Sequence, residues 1–259
     1  MSSLQKVRRS FSRSAKSYDE HGSLQKEVSE YLIKVFVSPR ISSPVKILDV
    51  GCGTGFTSLE AKKRWPGASL TSIDIAAPMV TESRKAGITN SAVSDASTLP
   101  FKDGEFDLII SSLAFQWASR DENLFDELAR VLKKDGNLVF SAMGPGTLAE
   151  LQNAYDKASR ECTGKPAVFR PILGEKNLVD KMRKAGFKDR FCMFQTLSRT
   201  YTSVEALFKT LKGTGATLPG RPENPPRRDV LNKTVAIYAG SGGPVEATYE
   251  LIYISGTAA

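Results

Sequence analysis

The sequence predicts an α/β fold built on a doubly wound, mostly parallel sheet of seven strands. Three observations carry that expectation. From about residue 45 to residue 143 short apolar strands alternate with amphipathic helices, the rhythm of βαβ crossovers. The segment FDLIISSLAF (106–115) is apolar almost throughout, as a strand covered on both faces must be. The run ILDV (47–50) enters a turn with glycine at every second position, Gly51, Gly53 and Gly55, where a buried strand hands over to a helix.

The elements follow in order. Leu4, Val7, Phe11, Ala15 and Tyr18 recur at helical spacing in a stretch that carries Lys6, Arg8, Arg9, Arg13 and Lys16 and no acid. A mitochondrial transit peptide has this composition, and so has an amphipathic helix that docks on its own domain. Leu24, Val28, Tyr31, Leu32, Val35 and Phe36 mark a second amphipathic helix ending near Pro39, and SPRISSP (38–44) links it to the core. Strand VKILDV (45–50), helix TSLEAKKRW (57–65), strand SLTSIDI (69–75) and helix PMVTESRKAG (78–87) come next, the last with Pro at its start and Gly just past its end. SAVSDA (91–96) is a short strand. DENLFDELARVLKKDG (121–136) reads as one helix with acids early, lysines late and a glycine stop, and NLVFSAM (137–143) as the fifth strand.

Beyond residue 143 the alternation breaks. GPGTLAEL (144–151) turns into a helix for which Thr147 and Glu150 fit a capping box. EKNLVDKMRKAGF (175–187) is a helix with Leu178, Met182 and Ala185 on one face. RFCMFQTLSRTY (190–201) and VEATYELIYISG (245–256) read as strands, the second alternating like an antiparallel member. Between them, 203–243 holds two helices and a Pro/Gly/Arg-rich loop. The expected organisation is N-terminal helices (1–40) over the site, a core (41–202 and 244–259), and an inserted helical cap (203–243).

Composition limits the chemistry. The 259 residues, 41% hydrophobic and 25% charged, suit one large α/β domain. Cys52, Cys162 and Cys192 are odd in number and far apart, which suggests a reducing compartment. With those cysteines and a single histidine, His21, no metal site is expected. No run of eighteen apolar residues is present, so no membrane span is expected either. A net charge of +8 favours acidic partners.

The spacing of Gly51, Gly53 and Gly55 differs from the Gly-x-Gly-x-x-Gly of dinucleotide sites. Asp49, at the mouth of the turn, is badly placed for a pyrophosphate and well placed for a cationic amine, directly or through water. Asp74, ending the next strand, suits both hydroxyls of an adenosine ribose. Asp95, in SDASTLPF, suits the adenine amino group. An adenosine with a positively charged amino-acid tail and no phosphates meets this set: S-adenosylmethionine.

These motifs, in this order over residues 45–145, resemble the class I methyltransferases with their Rossmann-like sheet. FSRSAKSYDEHGSLQ (11–25), LAFQWA (113–118), NLVFSAMGPGTLAEL (137–151) and LKGTGA (211–216) extend the resemblance to the malonyl-[acyl-carrier protein] O-methyltransferases of biotin synthesis. The resemblance implies methyl transfer to the free carboxylate of a malonyl thioester, on acyl carrier protein or coenzyme A. Asp49, Gly51, Cys52, Gly53, Gly55, Asp74, Asp95, Ala96, Leu113 and Gln25 are then the cofactor residues, with Tyr18, Phe115 and Gln116 at the reacting atoms. The substrate carboxylate needs a donor such as Arg170 or Arg199. His21 and Gln25 share a helical face with Tyr18 if the helix runs through Gly22.

Lys209, Lys212, Arg221, Arg227 and Arg228 are the expected landing site of the acidic carrier. A cytoplasmic monomer that binds neither nucleic acid nor membrane is expected. Two alternatives stay open: methylation of another small carboxylic acid or of a quinol carbon, and a non-catalytic assembly factor in mitochondria.

Overall fold

The computed structural model describes residues 3–37, 41, 43–118, 121–169, 172–216, 227–240 and 242–259. Its strands are β1 (Lys46–Val50), β2 (Ser69–Asp74), β3 (Ser91–Val93), β4 (Phe106–Ser112), β5 (Leu132–Met143), β6 (Lys188–Tyr201) and β7 (Val245–Thr257). They form one sheet in the order β3-β2-β1-β4-β5-β7-β6. The first five are parallel, with Ile47 opposite both Leu70 of β2 and Leu108 of β4. β7 runs antiparallel to β5 on one side and to β6 on the other. The chain therefore proceeds outward from β1 through β2 to β3, then returns to the far side of β1 for β4. That reversal opens a crevice at the carboxyl ends of β1 and β4.

Helices cover both faces. On one face α3 (Ser23–Tyr31), which winds wider as a π-helix over Leu32–Val37, packs with α4 (Phe56–Arg64). Here Val28, Leu32 and Phe36 meet Ile47, Leu108 and Tyr253. On the other face α7 (Leu124–Val131) and α9 (Glu175–Lys184) set Phe125, Leu128 and Met182 against Ile109, Phe140 and Ile254. Each fully buried side chain of this size contributes roughly 1.5–3 kcal/mol. β4 contributes to both faces, Leu108 and Ile110 to one and Ile109 to the other, which is why its sequence is continuously apolar.

The remaining helices are α1 (Ser3–Ser14), α2 (Tyr18–His21), α5 (Ala77–Lys85), α6 (Phe115–Ala118), α8 (Ala149–Thr163), α10 (Val204–Gly213) and α11 (Arg228–Ala239). α11 packs on α8 around Tyr155, Ala158 and Val230, a small core separate from the sheet.

Three local expectations are corrected. The helix at 121–136 stops at Val131: Leu132 pairs with Phe106, and Lys133 Nζ reaches Asp107 Oδ1 at 2.7 Å, so LKKDG is the start of β5, with a register shift against β4. Thr147 and Glu150 form no capping box. Thr147 Oγ1 donates to Glu250 O (3.0 Å), and the Glu150 carboxylate accepts from Thr248 N (3.2 Å), so both side chains bind β7. The helix after Tyr18 breaks at Gly22, where an added Cβ would lie 2.7 Å from Tyr18 O.

Candidate active site

The crevice between β1 and β4 widens into a cavity that opens to solvent at one side, about 730 Å³ with its open mouth included. Its floor is the glycine turn. Gly51, Gly53 and Gly55 have φ of +73°, +56° and +106°, a region side chains with a Cβ rarely enter. Each glycine answers a different need. A Cβ on Gly51 would run into Ala114 Cβ, across the crevice. A Cβ on Gly53 would protrude toward the Tyr18 ring, 3.9 Å away, into space a ligand needs. A Cβ on Gly55 would crowd Ile88 at 3.2 Å, so this glycine serves the packing of α4 and does not line the cavity.

The wall opposite is made where β4 ends. Ser111 Oγ donates to Val50 O (2.7 Å) and ties the two strand ends together. Leu113 then takes φ +52°, held by its N–H to Ser141 O (3.0 Å). This strained residue swings Ala114 against Gly51 and starts α6. Leu113, Phe115 and Trp117 line the cavity. Phe115 is also part of the core, 5.0 Å from Phe140 between ring centres. Gln116 points elsewhere, its Nε2 donating to Leu113 O (2.7 Å).

The roof is α1. Leu4, Val7 and Phe11 face down into the cavity, and Phe11 meets Trp117 edge-on at 5.6 Å. Such a pair adds about 0.5–1.5 kcal/mol beyond the area it buries. Tyr18 closes the same side, and burial beside Asp74 and Asp19 pushes its phenol well above the ordinary range. The sequence marked the amphipathic stripe of 4–18 and set the N-terminal helices over the site, without singling out Leu4, Val7 and Phe11 as lining residues.

Two carboxylates line the space, Asp74 and Asp95, and among its described lining residues there is no cation. Asp74 Oδ2 accepts from Gly53 N (2.9 Å) and Oδ1 from Ala76 N (2.8 Å), which locks the carboxylate at the end of β2. Burial raises its pKa, and those two bonds oppose the shift. Asp95 Oδ1 accepts from Ser97 N (3.0 Å), so it both caps a turn and borders the cavity, with Ala96 beside it.

Asp49 lies behind the turn, fully buried. Ser58 Oγ donates to its Oδ2 (2.5 Å), and Oδ1 has no partner. Burial pushes its pKa up to about 7. Cys52 is buried off the cavity with its thiol raised well above the usual range.

A glycine cradle that a Cβ would fill, an orphaned buried carboxylate oxygen and an acid-lined wall fit S-adenosylmethionine. They do not suit a pyrophosphate, which needs donors and positive charge.

The structure does not gather every expected residue. Gln25, on α3, is outside the cavity lining, and its buried Oε1 has no partner. Arg199 of β6 is ion-paired with Glu27 of α3 and is likewise outside that lining. Arg170 and Arg221 lie outside the described residues. His21 packs on Gly213 of α10, where an added Cβ would come within 2.5 Å of the ring. Missed in the sequence were Met79, Ile75, Ser94 and Ser112, wall residues whose types carry no chemical signal.

Residues 48–140 match the methyltransferase domain family. The malonyl-[acyl-carrier protein] O-methyltransferase of Geobacter sulfurreducens is 32% identical over 259 aligned positions, spanning 96% of each chain. The enzyme of the same name from Xylella fastidiosa is 36% identical over 82% of this chain and 71% of its own. Among solved structures, Haemonchus contortus phosphoethanolamine N-methyltransferase 2, in complex with phosphomonomethylethanolamine and S-adenosylhomocysteine, shares the fold. Its TM-score is 0.59 at 16% identity, over 99% of this chain and 60% of that one.

Proposed function

The chain belongs to the malonyl-[acyl-carrier protein] O-methyltransferase family, and on that premise we propose that it methylates the free carboxylate of a malonyl thioester in biotin synthesis. The observation that carries this reading is the cavity at the strand switch point, lined by Asp74 and Asp95 and by no cation among its described residues. When bound, S-adenosylmethionine supplies an electrophilic methyl group, and the malonyl carboxylate oxygen is the nucleophile that takes it.

This chain's residues bind, orient and exclude water. Gly51 and Gly53 admit the ligand backbone-close, Asp74 takes the ribose hydroxyls, and Asp95 with Ala96 borders the adenine. Asp49, from below the turn, offsets the amine. Phe11, Tyr18, Phe115 and Trp117 wall off the reacting atoms. A carboxylate of pKa about 4 is already ionised at neutral pH, so no general base is needed. Holding the oxygen in line supplies up to roughly 7–11 kcal/mol in the best intramolecular cases.

We read α1 and Tyr18, from the N-terminal helices, as the roof of the site and α10 and α11 as parts of a cap inserted between β6 and β7. The docking of α1 on the cavity supports reading this basic segment as part of the folded enzyme.

Mass spectrometry of malonyl-acyl carrier protein, after incubation with the protein and S-adenosylmethionine, tests the reading. A gain of one methylene on the malonyl group is expected. Methyl gain on a quinol or another acid, with none on malonyl, overturns it.

A further inference from the structure

α1 has two faces of opposite character. Leu4, Val7 and Phe11 occupy the inner one. Lys6, Arg9 and Arg13 recur at spacings of three and four on the other side of the helix, and Lys16 continues them in the turn that follows. All four are exposed, and none forms an ion pair among the described residues. The next acids, Asp19 and Glu20, come only in α2.

The basic surface does not end with α1. Ser10 Oγ donates to Gly215 O (2.9 Å) and Ser17 Oγ to Gly213 O (3.0 Å), so the end of α10 is fastened alongside. α10 adds Lys209 and Lys212, both exposed. The contrast with α11 is informative. There Arg227 is already neutralised by Asp229 at 2.6 Å, and among the described residues of that end of the expected patch Arg228 alone forms no ion pair.

We propose that the outer face of α1, continued by Lys209 and Lys212 of α10, is the docking surface for an acidic carrier protein. The inference rests on the reading that the acceptor is a thioester held by such a carrier. A partner seated there is one helix diameter, roughly 10–12 Å, from the cavity that the inner face of α1 closes. A carrier's flexible thioester arm has only to pass the edge of α1. Unpaired cations with acidic counterparts act mainly on encounter and register, and their effect is salt-dependent.

The test compares two variants of the full chain, Arg9→Gln/Arg13→Gln/Lys16→Gln and Arg227→Gln/Arg228→Gln, with glutamine chosen to preserve helix propensity. For each, KM is measured for malonyl-acyl carrier protein and for malonyl-pantetheine, which lacks the carrier. S-adenosylhomocysteine affinity is measured alongside, and binding of unmodified carrier protein is titrated directly. In the α1 variant, carrier KM and carrier Kd are expected to rise roughly tenfold or more, with malonyl-pantetheine KM and S-adenosylhomocysteine affinity unchanged. The α11 variant is expected to match the unsubstituted protein.

An unchanged carrier Kd in the α1 variant overturns the proposal. So does an equal loss in both variants, or an equal rise in KM for malonyl-pantetheine. Preference of the unsubstituted protein for an RNA oligonucleotide over the carrier overturns it as well. Failure to methylate any malonyl thioester defeats the proposed reaction instead, and the direct carrier titration still decides the docking surface.

Discussion

Gly213→Ala should loosen the cofactor site from more than one element away. Gly213 meets the His21 imidazole so closely that an added methyl would overlap Cδ2 and lie 2.5 Å from Cγ. Carbon contacts are comfortable at about 3.5–4.0 Å, so the ring must retreat by roughly 2 Å. His21 ends the single turn that begins with Tyr18, and Tyr18 closes the cavity beside Gly53. Overpacking of this kind costs about 1–3 kcal/mol. If that strain is relieved by shifting α2, S-adenosylhomocysteine affinity falls roughly five- to 150-fold. Isothermal titration of the variant measures it, with the thermal midpoint of the unliganded protein as a check on folding. His21→Ala in the same chain removes the clash and should restore most of the affinity, a coupling read from the double-mutant cycle. Full affinity in Gly213→Ala alone, or no recovery in the double variant, refutes the path from α10 through α2 to the site.

Asp74→Asn should weaken S-adenosylhomocysteine binding by about 1.5–3 kcal/mol, the range for a charge-assisted hydrogen bond, with a smaller loss on a fragment lacking the ribose. Asp49 is held protonated by burial up to about pH 7, against about 3.9 unfolded, so the folded state binds the extra proton between those values. Stability of the unliganded protein should therefore fall as pH rises from about 4 to 7, and Asp49→Asn should flatten that slope in calorimetry. A cationic ligand stabilises the ionised form, so its affinity should rise with pH through the same window in the unsubstituted protein and not in Asp49→Asn. The acid-lined cavity repels an anionic acceptor until positive charge enters. A malonyl thioester should thus bind at least about tenfold tighter beside an S-adenosylmethionine analogue that keeps a cation at the sulfur position than beside neutral-sulfur S-adenosylhomocysteine. Raising salt from 0.1 to 1 M, which shrinks the screening length from about 10 to 3 Å, should raise KM for the carrier substrate far more than for malonyl-pantetheine.

Much of this site could be read from the chain because its parts are local. The glycine turn, Asp74 and Asp95 each sit where a strand ends, and strands announce themselves by apolar runs of a few residues. What stayed hidden depends on contacts distant in sequence. FSRSAKSYDEHGSLQ and LKGTGA looked like two separate family motifs, yet they are one structure. Gly213 is bare to admit His21, and Gly215 is bare because a Cβ would lie 2.5 Å from Ser14 Oγ. GPGTLAEL likewise read as a helix start, while its glycines make room for Glu250 of β7, whose Oε2 accepts from Gly146 N at 3.1 Å. Arg199 was chosen for its charge and its place beside the cap, and neither reveals that Glu27 of α3 pairs with it. Periodicity also failed at Leu132, where a tertiary pairing with Phe106 outweighed helix propensity in LKKDG.

The position of β7 has a consequence for how the protein is made. Residues 245–257 fill the slot between β5 and β6, both synthesised earlier. Until they emerge from the ribosome, a long strand on each side of that gap has unsatisfied backbone groups facing an absent neighbour. The nascent chain is thus most prone to mispairing just before its last strand arrives, and folding slows because the final pairing joins segments more than a hundred residues apart, as Asn137 and Thr257 are.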